Sequence, residues 1–387
     1  MNTINQTELI PIVAQIIGQP KFDSLTWELT PLKRQGGQSA GVVALVRVVG
    51  TATIGGQTFS WSVVVKTISK PDSAHDPTGT VHIPSAWNYW KREILAYQSG
   101  LLADLTGNLI APRCYGVAEH PNGKWRIWLE DITENPARWT LDRHGSAARH
   151  LGQFNGVYLT GRPLPPEQPW IYRGRNRDWI GVASGLVEPF RRYAGSAQGR
   201  HWLSDRSVTR IKGLLANAQP LLAKLGRLPL CLCHHDAHRR NLLARDQNGT
   251  ELQTVALDWA YLGYGEVGAE IGILTAVTLA WMDVAGEQAS ALDQAVFESY
   301  LAGLRDAGWQ GDARLARFGY TASASLVTGV AWTMIMAALI WPDKEQAHGL
   351  ETIIGHSRDE IFDQQAMVLP FLLDLGDEAL QLMASLP

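Results

Sequence analysis

His234, Asp236 and Asn241 stand in the pattern His-x-Asp-x-x-x-x-Asn, within the stretch His234-His235-Asp236-Ala237-His238-Arg239-Arg240-Asn241. An apolar run, 228–233, leads into it, and a second, 252–257, ends in Leu257-Asp258-Trp259. Such a set suits phosphoryl transfer to a hydroxyl. The loop aspartate accepts the hydroxyl proton. An asparagine further along the loop, with a second aspartate across a hairpin, offers hard oxygen ligands to Mg²⁺, which neutralises nucleotide phosphates. Asp236 is thus the candidate base, and Asn241 and Asp258 the candidate metal ligands. One Asp and one Asn alone would equally suit a turn whose side chains satisfy backbone groups. Asp258 in register argues for a site instead.

Those residues need a scaffold. The first third of the chain reads as strands: Trp27-Glu28-Leu29-Thr30, then 42–49, 59–67, 113–119 and 125–130. Turn residues separate them, Gly55-Gly56 and Pro121-Asn122-Gly123 among them. A glycine loop, Gly36-Gly37-Gln38-Ser39-Ala40-Gly41, lies between the first two strands. Gly37 and Gly41 let backbone N–H groups approach phosphate oxygens, and Ser39 adds a hydroxyl donor. Segment 84–102 reads as a helix, with Trp87, Trp90, Ile94, Tyr97 and Leu101 three or four residues apart. Lys66 closes an apolar strand and Glu93 lies on that helix. The functional reading is a lysine that orients nucleotide phosphates and a glutamate that orients the lysine. Either residue alone suits a solvated surface equally well. From residue 140 the pattern turns helical, with candidates at 147–159, 188–193, 208–225, 269–284, 291–307, 314–339 and 359–386.

His-x-Asp-x-His-x-x-Asn followed by Leu-Asp-Trp resembles the aminoglycoside phosphotransferase and choline kinase group, most strongly over 231–275. The family usually has Gly at the place of His235, and often Pro and Gly at Arg239 and Arg240. The order of glycine loop, Lys66, Glu93 and Asp236 follows the same plan. The resemblance implies an α+β, two-lobed, protein-kinase-like fold. Residues 1–130 would form a small β-rich nucleotide-binding lobe with one main helix, and 131–387 a large helical lobe for catalysis and acceptor binding. Ile127-Trp128-Leu129-Glu130-Asp131-Ile132 resembles the family's hinge, where backbone groups around Glu130 and Ile132 hydrogen-bond a purine. Those contacts are made by backbone, so they leave ATP and GTP equally open. An acidic residue is expected just before the next helix; Glu270 fits best, Glu266 is the alternative, and the role is structural. His234 is expected to buttress the loop. His238 is open between phosphate contact and loop cap.

Composition sets bounds. With 387 residues the chain can bury a large core, and a net charge of −3 argues against a general nucleic-acid footprint. The three cysteines, Cys114, Cys231 and Cys233, lack zinc-type spacing and suit reduced thiols in a cytoplasmic protein. The N-terminus has no basic, apolar leader pattern. Residues 320–341 carry no charge and are long enough to cross a bilayer, but Thr321, Ser323, Ser325, Thr328 and Thr333 favour a buried core helix and no membrane partner.

The expected activity is transfer of the γ-phosphoryl group of ATP or GTP, with Mg²⁺, to a hydroxyl of a small acceptor. An aminoglycoside, amino-sugar, sugar or amino-alcohol is implied by the resemblance. The competing class is a nucleotide-binding module without turnover. Arg173, Arg175 and Arg177 alternate with Gly174 and Asn176, so an extended segment would put all three on one face toward an anionic acceptor. A solvated face explains them as well.

Overall fold

The computed structural model describes residues 4–32, 41–72, 79–134, 139–247 and 251–386. Helix α1 (Gln6–Ile17) opens the chain. Asn5 and Glu8 form a capping box at its start, and Gly18 closes it in the left-handed conformation. Strands β1 (Ser24–Pro31), β2 (Val42–Ile54) and β3 (Gln57–Ser69) follow, then helix α2 (Arg92–Gln98), the short β4 (Leu109–Ile110), β5 (Cys114–Glu119) and β6 (Lys124–Glu130). Five of the strands form an antiparallel sheet in the order β1-β2-β3-β6-β5.

Strand alternation decides which face meets the site. Val63 and Val65 point to the face covered by Leu9, Ile12 and Val13 of α1. Lys66, between Val65 and Thr67, therefore points to the other face, where Ile127 and Leu129 pack against Ile94 of α2. One face of β3 holds the lobe together and the other carries the lysine.

The helix expected over 84–102 is shorter. Only Arg92–Gln98 is helical. Upstream the chain makes successive turns, because the carbonyls of Pro84, Ala86 and Trp87 accept from the Arg92 guanidinium. Downstream Gly100 takes a positive φ of 79° and ends the helical run.

The second lobe begins with α3 (Leu141–Leu159), capped by Thr140. Then come β7 (Tyr172–Arg173), α4 (Arg175–Gly185), α5 (Val187–Ala194), α6 (Gly199–Trp202), α7 (Asp205–Ala216) and α8 (Ala218–Leu225). The expected single helix over 208–225 is interrupted at Asn217, which separates α7 from α8. Next are β8 (Leu230–Cys233), β9 (Leu242–Gln247), β10 (Glu251–Ala256) and β11 (Gly263–Glu266). Helices α9 (Ala269–Ala280), α10 (Ala289–Asp306), α11 (Ala313–Ile340), α12 (Lys344–Ile354) and α13 (Arg358–Ser385) complete the chain. The α+β, two-lobed architecture is as expected.

Two small sheets, β4-β10-β9 and β7-β11-β8, hold the motif. The loop 234–241 runs from β8 to β9, and Asp258 follows β10, the antiparallel partner of β9. Helix α11 is long and apolar enough to cross a membrane, but 72% of its apolar window is buried within the protein. It serves as a core helix, with Phe318, Tyr320, Leu326 and Val330 fully enclosed. Its middle turns carry π-type hydrogen bonding.

Helices α3 and α10 approach closely because glycines line the crossing. A Cβ on Gly303 would collide with the Arg149 carbonyl, and one on Gly152 with the Tyr300 carbonyl. Both obstacles are backbone, so neither can swing aside. Replacing Gly303 by Ala is expected to lower unfolding free energy by about 1–3 kcal/mol, the usual range for overpacking. Urea denaturation checks this. A change below about 0.5 kcal/mol, the scale of ordinary surface substitutions, would mean that the helices move apart freely.

Candidate functional site

The loop between β8 and β9 is shaped by its own polar groups. His234 Nε2 lies 2.7 Å from the Leu257 carbonyl, and its Nδ1 accepts from the Asp236 amide at 3.1 Å. The imidazole thus bridges the loop to the end of the β9–β10 hairpin. It buttresses the loop, as expected. Asn241 Nδ2 donates to the Asp236 carbonyl at 3.0 Å and to Asp236 Oδ2 at 2.8 Å. The backbone carbonyl of Asn241 accepts from the Leu257 amide at 2.8 Å. Asp236, Asn241 and the residue before Asp258 are therefore fixed relative to one another.

His238 starts the 3-10 turn Arg239–Asn241, and its Nδ1 accepts from the Arg240 amide at 3.3 Å. Its Nε2 lies 3.6 Å from Asp236 Oδ2. Burial works to raise the Asp236 carboxyl, but His238, then Arg175 and His234, outweigh it and hold the group down at about 2. Asp236 is anionic at neutral pH and able to accept a proton.

Lys66 and Glu93 come together from the first lobe. Lys66 Nζ is 2.5 Å from Glu93 Oε2 and 3.0 Å from Asp258 Oδ1. Burial opposes the Lys66 charge, yet Asp258 and Glu93 together lift it to about 12, so the lysine stays a cation. Burial pushes Glu93 up to about 7, with Lys66 and the Trp259 backbone pulling the other way. Asp258 itself has a left-handed backbone, φ 56° and ψ 72°, rare for a residue with a Cβ. Three distant stretches of sequence thus meet at one lysine.

A divalent cation fits the oxygens present. Asn241 directs its amide nitrogen at two Asp236 oxygens, which leaves its Oδ1 turned away as a neutral oxygen donor. Asp258 supplies carboxylate oxygen. Among the described residues no cluster of three or more His, Cys, Asp or Glu forms a cage. Two protein ligands, with phosphate and water completing the shell, is the usual arrangement for Mg²⁺.

Gly41 has φ 85°, and a Cβ there would stand 2.5 Å from the Ser69 carbonyl, so the strand can start only with glycine. Gly37 and Ser39 lie outside the described residues. At the end of β6 the Glu130 amide donates to the Arg113 carbonyl, while its carboxylate pairs with Arg245 of β9 at 2.6 Å. Ile132 follows in irregular chain and is partly buried.

His235 occupies a left-handed position, φ 64°. Its ring lies over β11, where Cβ atoms on Gly263 and Gly265 would stand 3.0 and 2.7 Å from it. Glycines on the facing strand make room for a bulky residue in the loop. Burial holds this imidazole down at about 3, hence neutral, and Nε2 bonds the Tyr264 carbonyl at 3.0 Å.

The three arginines of 173–177 do not share a face. Gly174, φ 92°, turns the chain into α4, so the segment is not extended. Arg173 pairs with Glu167 and stacks on Tyr264, and Arg177 is exposed. Arg175 alone turns inward, over the Trp179 ring, where its charge acts on Asp236. Arg239 is tied to Glu134 at 2.9 Å and stacks on Trp139. Arg240 bonds the Ile353 carbonyl at 2.5 Å and lies over Trp281.

Sequence reasoning missed three contributors. Asn155 of α3 donates to the Leu232 carbonyl and to Glu270. Tyr300 of α10 donates to Asn155 Oδ1. Arg92, the neighbour of Glu93, is wholly buried. The one available signal was a charged residue on the apolar side of a helix.

Solved structures resemble the whole chain. An aminoglycoside phosphotransferase from Alicyclobacillus acidocaldarius is 13% identical, with 91% of this chain and 94% of that chain covered and a TM-score of 0.50. A choline kinase from Cryptosporidium parvum is 14% identical, covering 95% and 99%, with a TM-score of 0.48. Spectinomycin phosphotransferase, at 12% identity, covers 98% and 100% with a TM-score of 0.46. At 13% identity the likeness to the first of these speaks to the fold alone, which is kinase-like. No curated protein sequence matches the chain. Residues 134–314, which carry Asp236, Asn241 and Asp258, match the phosphotransferase enzyme family, the group that the loop motif resembles.

Proposed function

We propose that this protein is a small-molecule kinase, transferring the γ-phosphoryl group of ATP or GTP to a hydroxyl of a small acceptor. The observation that carries the reading is the convergence of two polar sets from separate elements. Asp236 is bonded to Asn241 at 2.8 Å, and Lys66 is held between Glu93 and Asp258.

Asp236 takes the acceptor hydroxyl's proton as the new P–O bond forms. Lys66 orients the nucleotide phosphates, and Glu93 keeps Lys66 in place. Asn241 and Asp258 would hold Mg²⁺, whose contribution when bound is to neutralise phosphate charge. The glycine loop, with Gly37, Ser39 and Gly41, would lend backbone and hydroxyl donors to the phosphates. Backbone groups at Glu130 and Ile132 would meet the purine edge, which leaves ATP and GTP open. Positioning and charge neutralisation carry most of the rate in such a site.

The acceptor class is the one that the loop motif's resemblance implies: an aminoglycoside, amino-sugar, sugar or amino-alcohol. All three cysteines are free, which accords with a cytoplasmic protein.

The decisive experiment is a nucleotide-consumption screen against amino-sugars, sugars, choline-like amines and antibiotics, with mass detection of product. Tight Mg²⁺-nucleotide binding with no product from any acceptor would favour a binding module without turnover.

Asp236→Ala is expected to reduce transfer by roughly 10²–10⁴-fold, the span of general-base contributions. Nucleotide affinity should be retained, because Asp236 faces the acceptor. Single-turnover rates and nucleotide titrations measure both; near wild-type turnover removes Asp236 from the base role.

Asp258→Asn is expected to weaken nucleotide binding in Mg²⁺ far more than in EDTA. Its carboxylate is the charged oxygen donor of the pair, whereas Asn241 offers a neutral one. Equal losses with and without metal would make Asp258 a structural partner of Lys66 only.

A further inference from the structure

We propose that Arg92 is a positioning residue that bolts the Glu93 helix to the Asp258 loop and to the loop at Trp170 that leads into β7. The inference rests on the proposed kinase reading for its catalytic consequence and on geometry for the bolt itself.

Arg92 has no exposed surface, and among the described residues no carboxylate pairs with it. Its guanidinium donates through every N–H it has. Nε donates to the Trp170 carbonyl at 2.7 Å. Nη1 donates to the carbonyls of Trp87 and Ala260, each at 2.8 Å. Nη2 donates to the carbonyls of Pro84, at 3.2 Å, and Ala86, at 2.5 Å. The Tyr172 ring lies 5.2 Å from the guanidinium carbon. A lysine has three donors on a single point and cannot reproduce this planar fork.

The five carbonyls belong to three pieces of chain. Residues 84–87 are the approach to α2. Ala260 follows closely on Asp258. Trp170 belongs to the loop that leads into β7 and to Arg175, whose charge acts on Asp236. Arg92 also adjoins Glu93, whose carboxylate holds Lys66. A shift of α2 that broke the Lys66–Glu93 pair would pull buried, charged donors off the other two segments. Desolvated donors left unpaired are strongly unfavourable. The three segments therefore settle together, so the loop at Trp170 and the phosphate-orienting lysine are mechanically linked.

Two measurements test this. In the wild-type protein, hydrogen exchange of the amides at 92–98, 170–173 and 259–262 should report one shared opening. Separate openings, with α2 exchanging well before the other two segments, would overturn the bolt without the need for any variant. In Arg92→Lys, confirmed folded by circular dichroism, exchange should quicken at 170–173 and 259–262 as well as in α2. Slow Mg²⁺-ATP hydrolysis should fall roughly tenfold or more, because small misplacements of reacting groups are costly. ATP affinity measured in EDTA should stay within about twofold, a KM-against-kcat split. A variant with a lowered melting temperature, unchanged hydrolysis and exchange altered only near 84–98 would make Arg92 a local structural residue and defeat the proposal. If the wild-type protein binds neither ATP nor GTP, the kinase reading fails, while hydrogen exchange still decides the bolt.

Discussion

The whole loop 234–241 hangs on one buried carboxylate. Glu270, in the first turn of α9, has no exposed surface, and it accepts the amides of His234 at 3.0 Å and His235 at 2.8 Å. A carboxylate that accepts adjacent backbone N–H groups fixes the direction of both peptides. Asn155 also donates to Glu270 and takes the Tyr300 hydroxyl on its own oxygen. That hydroxyl in turn accepts the Gly268 amide. Helices α3, α9 and α10 are thereby coupled to the exact segment from which Asp236 projects. Every polar member found here has a partner, which is the condition for a buried network to rigidify rather than destabilise.

Rigidity of this kind allows two unfavourable backbones. His235 and Asp258 are both left-handed at positive φ, and neither is glycine. Such residues persist only where their surroundings over-determine them, and they concentrate at functional sites. At His235 the surroundings are the Glu270 carboxylate on its amide, the Tyr264 carbonyl on its ring, and the glycines of β11 beneath. At Asp258 they are the Lys66 ammonium and the hydrogen bond from the Leu257 amide to Asn241. The resemblance placed a glycine where His235 stands. The structure explains the tolerance: Gly263 and Gly265 vacate the volume that the imidazole fills.

Much of this site could be read from sequence, because its chemistry is local. The motif from His234 to Asn241 is one loop, and strand alternation places Lys66 on the face opposite Val63 and Val65. Glu270 was recognisable as an acid at a helix start, and its role is structural. What escaped was long-range. Arg92 bonds carbonyls up to 168 residues away, and a carbonyl leaves no mark in a sequence. The same contacts unwound the expected helix over 84–91, where apolar spacing was helical but the carbonyls had a better donor. The arginines of 173–177 were misread for a simpler reason. Gly174 was taken as part of an extended run, yet its left-handed conformation begins a helix and separates Arg175 from its neighbours.

The two carboxylates at the centre are partnered by different means, and that division suits phosphoryl transfer on the proposed reading. Asp258 has a permanent cation, Lys66, at 3.0 Å. Asp236 has a histidine, His238, and the more distant Arg175, together strong enough to keep its carboxyl at about 2. In a loose, metaphosphate-like transition state the nucleophile needs little activation until bonding is advanced. The task of Asp236 is then mainly orientation, and its two bonds from Asn241 fix that orientation. Catalytic power is accordingly moved to the groups that align and neutralise phosphate. Those groups depend on the Lys66–Glu93 pair, which stays aligned only while α2 remains docked on the second lobe.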